Sequence, residues 1–245
     1  MASSISNIVL ITGGNQGIGF GIAKKLAIEY PGYHIIIGSR DASRGVEAAS
    51  SLSSQGLSVS SVQLDVTDDA SIAAARKDIE TEYKRLDVLI NNAGIAIDRR
   101  NVDFTMRNVL HMTYDTNVFG AAAVTEEFIP LLRKSTLPRL VFISSSLGSL
   151  TRAADFEYPY NAMLLPAYKS SKAALNMLML HYAKMLSGEG FKVNSCCPGY
   201  VATNLTQFRG PGTTEQGAVN ACRLATLGKD GESGTFSDKE GIIEW

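Results

Sequence analysis

The chain has 245 residues, of which 45% are apolar and 19% are charged, and its formal net charge at pH 7 is −1. This length and apolar content fit one α/β domain with a buried core. The 23 basic and 24 acidic side chains are balanced, and no basic stripe indicates a surface for nucleic acid. We therefore expect no nucleic-acid partner.

The cysteines and the N-terminus indicate the compartment. The chain has three cysteines, Cys196, Cys197 and Cys222. Because their number is odd and two of them are adjacent, they do not predict a disulfide framework and indicate a reducing environment. The N-terminus lacks the basic segment and apolar run of a signal peptide. No apolar stretch reaches the ~20 residues of a membrane span. We expect a cytoplasmic protein without a membrane partner.

Short apolar runs alternate with segments of helical spacing along the chain. The runs that predict strands are residues 8–12, 34–38, 59–64, 88–91, 140–144 and 192–196. The segments that predict helices include residues 18–29, 70–83, 118–132 and 167–186. This βαβα order predicts an α/β fold with a doubly wound parallel sheet and helices on both faces.

Two irregular stretches follow predicted strands. Residues 146–166 carry two prolines and several aromatic side chains, and residues 199–214 carry Gly210, Pro211 and Gly212. Ligands of open parallel sheets bind beyond the carboxyl ends of the strands. We therefore expect these loops to form the walls of a substrate pocket. Their aromatic and apolar content indicates a hydrophobic substrate.

The first predicted strand runs into a glycine-rich turn, and a helix follows. Glycine permits a tight turn and close approach to a pyrophosphate, and the helix N-terminus offers free N–H groups to the anion. A plain strand-to-helix turn is the alternative, but three glycines within this short turn favour a dinucleotide site. The residues assigned to the site are Gly13, Asn15, Gln16, Gly17, Ile18 and Gly19.

The position about 20 residues after the last glycine indicates which dinucleotide the site prefers. Ser39 stands where a carboxylate would bind a ribose 2′-hydroxyl, and Arg40 follows it. A guanidinium can pair with a 2′-phosphate through its planar fork, so NADP(H) is favoured over NAD(H). The alternative is that Arg40 is only a solvated residue beside Asp41.

Five motifs in order resemble those of the short-chain dehydrogenase/reductase family, from Asn7 to about Asp230. TGGNQGIG at 12–19 is similar to the family's cofactor turn, Asp65-Val66 to its adenine-contacting pair, and NNAG at 91–94 to the motif beside the cofactor. The other two motifs are the catalytic residues described below and Pro198-Gly199 with the residues that follow it. The resemblance implies a single-domain Rossmann fold over residues 1–245 with about seven strands. Within the family, the chain is most similar to carbonyl reductases. Further cofactor contacts implied by the resemblance are Asp65, Val66, Asn92, Ala93, Gly94, Pro198, Val201 and Thr203.

The same resemblance implies a catalytic tetrad. Tyr168 and Lys172 are four residues apart in a predicted helix, so they share a face, and the ammonium is expected to lower the pKa of the phenol. Tyr168 would then donate its proton to a carbonyl oxygen, although an ordinary surface Tyr–Lys pair is the alternative. The family role of both residues includes contact with the cofactor. The tetrad consists of Asn117, Ser145, Tyr168 and Lys172.

The other two members of the tetrad are less directly indicated. The family pattern selects Ser145 to polarise the substrate carbonyl, while Ser144 and Ser146 remain open. The family role of Asn117 is to hold a water that links Lys172 to solvent. A satisfied buried polar residue is the alternative for Asn117.

These features predict NADPH-dependent reduction of a ketone or aldehyde to an alcohol. The alternatives are an NAD(P)⁺-dependent alcohol dehydrogenase working in the oxidative direction and an NADP-sensing protein without turnover. We expect a small carbonyl or alcohol substrate. Members of the family often pair helices between subunits, so the resemblance also implies a homo-oligomer. The histidines are scattered at His34, His111 and His181, so we expect no metal site.

Overall fold

Seven parallel strands form one sheet in a computed structural model that describes residues 6–98 and 103–245. The order across the sheet is β3-β2-β1-β4-β5-β6-β7, and every neighbouring pair is parallel. The strands are β1 (Asn7–Thr12), β2 (Tyr33–Ser39), β3 (Val59–Gln63), β4 (Val88–Asn91), β5 (Arg139–Ile143), β6 (Lys192–Cys196) and β7 (Thr235–Ser237).

Helices cover both faces of the sheet. They are α1 (Gly17–Glu29), α2 (Ala42–Ser53), α3 (Asp69–Tyr83), α4 (Met106–Tyr114), α5 (Ala121–Leu132), α6 (Leu150–Ala154), α7 (Pro166–Met185) and α8 (Thr214–Ala225). One core packs β-strand side chains against α3, α5 and α7, and a second packs them against α1, α2 and α8. The predicted doubly wound parallel sheet of about seven strands is confirmed.

The sequence of β1 shows why both faces are apolar. Ile8 and Leu10 enter the first core, while Val9 and Ile11 enter the second, and all four are buried. Successive strand residues point to opposite faces, so a strand covered on both sides must be apolar throughout. The unbroken run that predicted this strand is therefore the signature of its central position in the sheet.

The chain changes direction at β1. It winds outward through β2 to β3 at one edge, returns to β4 on the other side of β1, and continues to β7. The loops that leave β1 and β4 therefore diverge and open a crevice at the carboxyl edge, where ligands of such sheets bind.

Several elements differ from the sequence-based expectation. Helices α2, α4 and α8 lie outside the four predicted segments, and side chains cap their N-termini: Asp41, Thr105 and Thr213. The predicted helix 118–132 begins as α5 only at Ala121, because residues 115–120 form a wider π-helical turn. The short strand β7 has no counterpart among the apolar runs that predict strands.

The expectation that residues 146–166 are irregular was wrong in part. This stretch contains α6 and two short 3₁₀ turns, Ser146–Gly148 and Pro159–Ala162. Ser149 accepts a hydrogen bond from the backbone N–H of Arg152 and so caps α6. Local caps of this kind form short helical turns that have no apolar periodicity to predict them.

Gly148 allows the 3₁₀ turn that follows β5 to lie directly against α7. A Cβ atom at Gly148 would be 2.7 Å from the backbone carbonyl carbon of Lys172 and 2.9 Å from the amide nitrogen of Ala173. Such distances are shorter than real Cβ contacts, and the neighbouring atoms belong to helix backbone that cannot rotate away. Glycine at this position therefore sets the distance between α7 and the turn after β5.

We expect Gly148→Ala to lower the free energy of unfolding by about 1–3 kcal/mol, because the methyl group must push α7 outward. Urea denaturation measures this change. The control is Gly188→Ala, where a Cβ meets nothing within 4 Å, and where we expect a change within about 0.5 kcal/mol. Equal losses in the two variants would contradict the packing described for Gly148.

Candidate active site

The glycine-rich turn after β1 has a backbone that only glycine adopts easily. Gly13 and Gly17 have φ values of 60° and 55°, in the left-handed region. A Cβ at Gly19 would lie 2.5 Å from Asn92 Nδ2 and 2.6 Å from the carbonyl oxygen of Gly13. The turn and the start of α1 therefore pack closely against the end of β4, and side chains at these positions would fill the space.

Hydrogen bonds join this turn to β4. The hydroxyl oxygen of Thr12 accepts from the backbone N–H groups of Asn92 and Ala93, both at 2.9 Å. The Asn92 side-chain amide donates in return to the carbonyl oxygens of Thr12 at 2.8 Å and Gly13 at 3.1 Å. The NNAG motif thus supports the glycine turn directly.

The N-terminus of α1 faces the crevice without a capping side chain from the residue before it. Gln16 directs its side-chain oxygen to the amide of Asn204 at 3.3 Å instead of capping the helix. The first N–H groups of a helix have no partner within the helix and carry the positive end of its dipole. This end of α1, with the glycine cradle, fits the pyrophosphate of a dinucleotide.

A cleft of about 290 Å³ runs along this carboxyl edge of the sheet. Every residue predicted to bind the cofactor lines it. These residues are Gly13, Asn15, Gln16, Gly17, Ile18, Gly19, Ser39, Arg40, Asp65, Val66, Asn92, Ala93, Gly94, Tyr168, Lys172, Pro198, Val201 and Thr203.

One end of the cleft carries two guanidinium groups. Arg40, which the sequence predicts as a cofactor contact, lines the cleft, and its Nε lies 3.9 Å from Asp65 Oδ2. Arg44 was missed by the sequence reasoning; it lies in the first turn of α2, and its Nε is 3.5 Å from Asp41 Oδ2. The Ser39 hydroxyl is buried and donates to the carbonyl oxygen of Asp41, so it shapes the turn that presents both arginines.

Tyr168 and Lys172 lie one turn apart on α7, and both are buried. The ammonium of Lys172 donates to the carbonyl oxygen of Ile143 at 2.7 Å and lies 5.7 Å from the centre of the Tyr168 ring. Burial lowers the pKa of Lys172 to about 8. The side chains share a face, as their spacing predicted.

The pKa of Tyr168 differs from the expected direction. Burial raises the pKa of the phenol well above its ordinary value, and a hydrogen bond with the Ser145 side chain opposes this rise only in part. The expectation that the ammonium of Lys172 lowers this pKa is therefore wrong for the net shift in this structure, because desolvation of the phenolate dominates. Tyr168 is protonated at neutral pH.

The side chains of the serine triplet point in three directions. Ser144 donates to the carbonyl oxygen of Lys172 at 3.4 Å, and the Ser146 hydroxyl accepts from the phenol of Tyr158 at 3.1 Å. Ser145 is the serine whose side chain bonds to Tyr168. Neither Ser145 nor Asn117 is among the described residues that line the cleft, although both contact elements that do.

Asn117 lies in the π-helical turn and is buried. Its side-chain oxygen accepts from the backbone N–H of Ile95 at 2.8 Å, and its amide donates to the Ile95 carbonyl at 2.9 Å and to the Ser171 hydroxyl at 3.0 Å. Both amide hydrogens are thus used, and one lone pair of the oxygen is left for a further partner. Asn117 joins the segment after β4 to α7.

The three cysteines are buried and free of disulfides. Burial raises the pKa of the Cys222 thiol to about 12, and burial also raises the pKa values of Cys196 and Cys197. These thiols are therefore poor nucleophiles. Cys197 accepts hydrogen bonds from the backbone N–H groups of Ser146 and Gly199, and so connects the loops that follow β5 and β6.

Residues 6–98 and 103–245 contain neither a metal-binding cluster nor a membrane-spanning helix. Within these ranges, His, Cys, Asp and Glu side chains form no group of three that could hold a metal ion. Of the helices in the same ranges, none combines the length and the hydropathy needed to cross a bilayer.

Comparison with known proteins gives the family. The sequence model described as short chain dehydrogenase matches residues 7–213. The chain is 41% identical over 257 residues to the short-chain dehydrogenase/reductase ATR10 of Stachybotrys chlorohalonatus, covering 98% of this chain and 91% of ATR10. It is 31% identical over 281 residues to carbonyl reductase (NADPH) 1 of Bos taurus, covering 99% and 100% of the two chains.

A solved structure supports the same conclusion. The NADPH-bound carbonyl reductase from chicken fatty liver matches with a TM-score of 0.84 at 29% identity, over 99% of this chain and 100% of that chain. Since the family match and these relatives extend along nearly all of the sequence, the chain belongs to the short chain dehydrogenase family of nicotinamide-dependent oxidoreductases.

Proposed function

We propose that this chain reduces a ketone or aldehyde to an alcohol with NADPH. The observation that carries the proposal is geometric: the buried side chains of Tyr168 and Lys172 line the same cleft as the glycine cradle. An acid held beside a cofactor cleft suits protonation of a carbonyl oxygen. The nicotinamide, when bound, supplies the hydride for the carbonyl carbon.

Each member of the tetrad has a distinct part in this proposal. Tyr168 donates its proton to the carbonyl oxygen, and the hydroxyl of Ser145 polarises that oxygen and stabilises its developing negative charge. The ammonium of Lys172 stabilises the phenolate that is left on Tyr168. Asn117 Oδ1 and Lys172 Nζ both face the space beside Gly94: a Cβ placed on Gly94 would lie 3.3 Å from the first atom and 3.5 Å from the second. Because the two groups share this space, Asn117 is suited to support a proton relay to Lys172.

The same phenol of Tyr168 serves both directions of the reaction, as a proton donor in reduction and, once ionised, as a base in oxidation. We favour reduction over the oxidative alternative because Arg40 and Arg44 line the cleft, where their guanidinium groups support binding of NADPH, the reduced cofactor.

Arg40 and Arg44 support the preference for NADPH over NADH. Their side chains are 80% and 69% exposed, and ion pairs in such positions contribute little to stability. Either guanidinium can therefore turn toward a 2′-phosphate dianion and bind it through two parallel hydrogen bonds. The NADPH in the names of the bovine and chicken relatives supports the same preference.

A cluster of three tyrosines in the proposed pocket loops supports a hydrophobic substrate. The rings of Tyr158 and Tyr160 are 5.6 Å apart, and those of Tyr160 and Tyr200 are 6.0 Å apart, both edge to face. Tyr158 bonds to Ser146, the neighbour of Ser145, and Tyr200 precedes Val201 of the cleft, so the cluster connects the two proposed pocket loops. Aromatic side chains bind apolar ligands through contact and stacking.

We also propose that the protein forms a homo-oligomer and is located in the cytoplasm. Met112 on α4, Phe119 in the π-helical turn and Met177 on α7 are exposed apolar side chains, which support pairing of these helices in a homo-oligomer. The free, buried thiols are consistent with a cytoplasmic location.

Arg40→Ala and Arg44→Ala are each expected to raise the KM for NADPH by about tenfold or more, since a charged hydrogen bond is worth about 1.5–3 kcal/mol. The KM for NADH should change by less than about twofold, because NADH lacks the phosphate that these residues bind. Steady-state kinetics with both cofactors measure this difference. The matched control is Arg107→Ala, an exposed arginine of α4 outside the cleft. Equal increases for NADPH and NADH would contradict the assignment.

Tyr168→Phe should lower kcat by a factor of about 10² to 10⁴, because it removes the proton donor. NADPH binding, followed by fluorescence titration, should persist. Tyr182→Phe, also buried on α7, is the matched control and should leave kcat unchanged. A wild-type chain that binds NADPH tightly and reduces no member of a panel of ketones, aldehydes and quinones would favour the sensing alternative.

The pH profile of kcat/KM reports the ionisable groups of the free enzyme. The pKa of Lys172 is lowered to about 8, so its ammonium is present below this pH and is lost above it. We expect kcat/KM for ketone reduction to fall as the pH rises through about 8. A profile that stays flat from pH 7 to pH 9.5 would mean that the charge of Lys172 does not assist the reaction.

A further inference from the structure

The catalytic helix α7 begins without a capping side chain from the residue before it. Leu165 precedes the helix and makes no side-chain cap, and Pro166 occupies the first position. The first hydrogen bond that closes within the helix is donated by the backbone N–H of Lys169 to the Leu165 carbonyl. The N–H groups of Ala167 and Tyr168 therefore depend on an acceptor from elsewhere.

Asp98 supplies that acceptor from a distant part of the chain. One oxygen of its carboxylate accepts from the N–H of Ala167 at 2.7 Å, and the other accepts from the N–H of Tyr168 at 3.3 Å. A carboxylate at this place also faces the positive end of the dipole of a 20-residue helix. The cap therefore combines two hydrogen bonds with a favourable charge interaction.

The segment that carries Asp98 is the one that builds the cofactor cleft. Asn92 at its start bonds to the glycine turn, and Ile95 in its middle is held by Asn117 through both backbone groups. Asp98 lies three residues further on and is partly buried. A single run of seven residues thus contacts the cofactor cradle at one end and the backbone of Tyr168 at the other.

Resting on the function proposed above, we infer that Asp98 is a positioning residue for the proton donor. The Tyr168 side chain is held at its phenol by Ser145, and its backbone is held by Asp98. The cap ties the start of α7 to the segment that lines the cofactor cleft. Asp98 thereby sets the position of the phenol relative to the carbonyl group to be reduced.

The test compares Asp98→Ala, Asp98→Asn and the control Asp68→Ala. Asp68 caps α3 by accepting from the N–H of Ala70 at 3.0 Å, and it does not line the cleft. Loss of either cap should lower Tm, because both remove a carboxylate from a helix N-terminus. Only the loss of Asp98 should displace Tyr168 relative to the cofactor cleft.

We expect Asp98→Ala to lower kcat by about 10- to 100-fold, since a misplacement of about 1 Å has effects of this size. The Kd for NADPH, measured by fluorescence, should stay within about twofold, because the phosphate-binding residues are unchanged. Asp98→Asn keeps an acceptor oxygen and should retain kcat within about threefold, since Asn and Asp cap helices about equally well. Asp68→Ala should leave kcat within about twofold of the wild type, because Asp68 caps α3 and its side chain does not line the cleft.

Hydrogen exchange of the α7 N-terminus supplies a readout that does not need turnover. The amides of Ala167 and Tyr168 should exchange faster in Asp98→Ala than in the wild type, and they should be unchanged in Asp68→Ala. Unchanged exchange in Asp98→Ala overturns the proposal, whether or not the wild type is active. Faster exchange with a wild-type kcat overturns it too. A wild type that turns over no carbonyl compound contradicts the proposed function instead, and the exchange rates then still support or refute the cap.

Discussion

The site depends on the hydrogen bonds that join the ends of β1 and β4. Thr12 accepts the backbone N–H groups of Asn92 and Ala93, and the Asn92 side chain returns two hydrogen bonds to the backbone of the glycine turn. Chain winding separates the loops that leave these two strands, and the hydrogen bonds keep the strand ends in register. Loss of this connection would release both the glycine cradle and the segment that follows β4.

From β4, the same connection extends to α7. Residues 92–98 bond in turn to the glycine turn, to Asn117 and to the N-terminus of α7. Tyr168 and Lys172 therefore have a defined position relative to the cradle, although they lie more than 70 residues further along the chain. Their burial has a chemical consequence, since the low-dielectric surroundings disfavour the charged forms of both groups. Burial raises the pKa of Tyr168 and lowers that of Lys172, so the phenol stays protonated at neutral pH while Lys172 titrates near pH 8.

Much of this arrangement could be predicted from the sequence, because its signals are local. An apolar run followed by three glycines indicates a buried strand and a phosphate-binding turn without knowledge of any distant residue. The spacing of Tyr168 and Lys172 likewise places them on one helix face. The features that were missed need tertiary structure. Arg44 reaches the cleft only because α2 starts at Ala42, and Asp98 meets α7 across 69 positions of sequence. The pKa of Tyr168 was misjudged because the extent of its burial follows from packing, which residue spacing does not describe.

In the proposed reaction the carbonyl group receives a hydride from the nicotinamide and a proton from Tyr168. Reduction of a ketone with NADPH that carries deuterium at one or the other of its two C4 positions tests this claim directly. We expect an alcohol with one deuterium on the carbinol carbon from one labelled form, and an alcohol without deuterium from the other form. Deuterium-free alcohol from both forms, or tight NADPH binding without any alcohol, would contradict the proposed reaction.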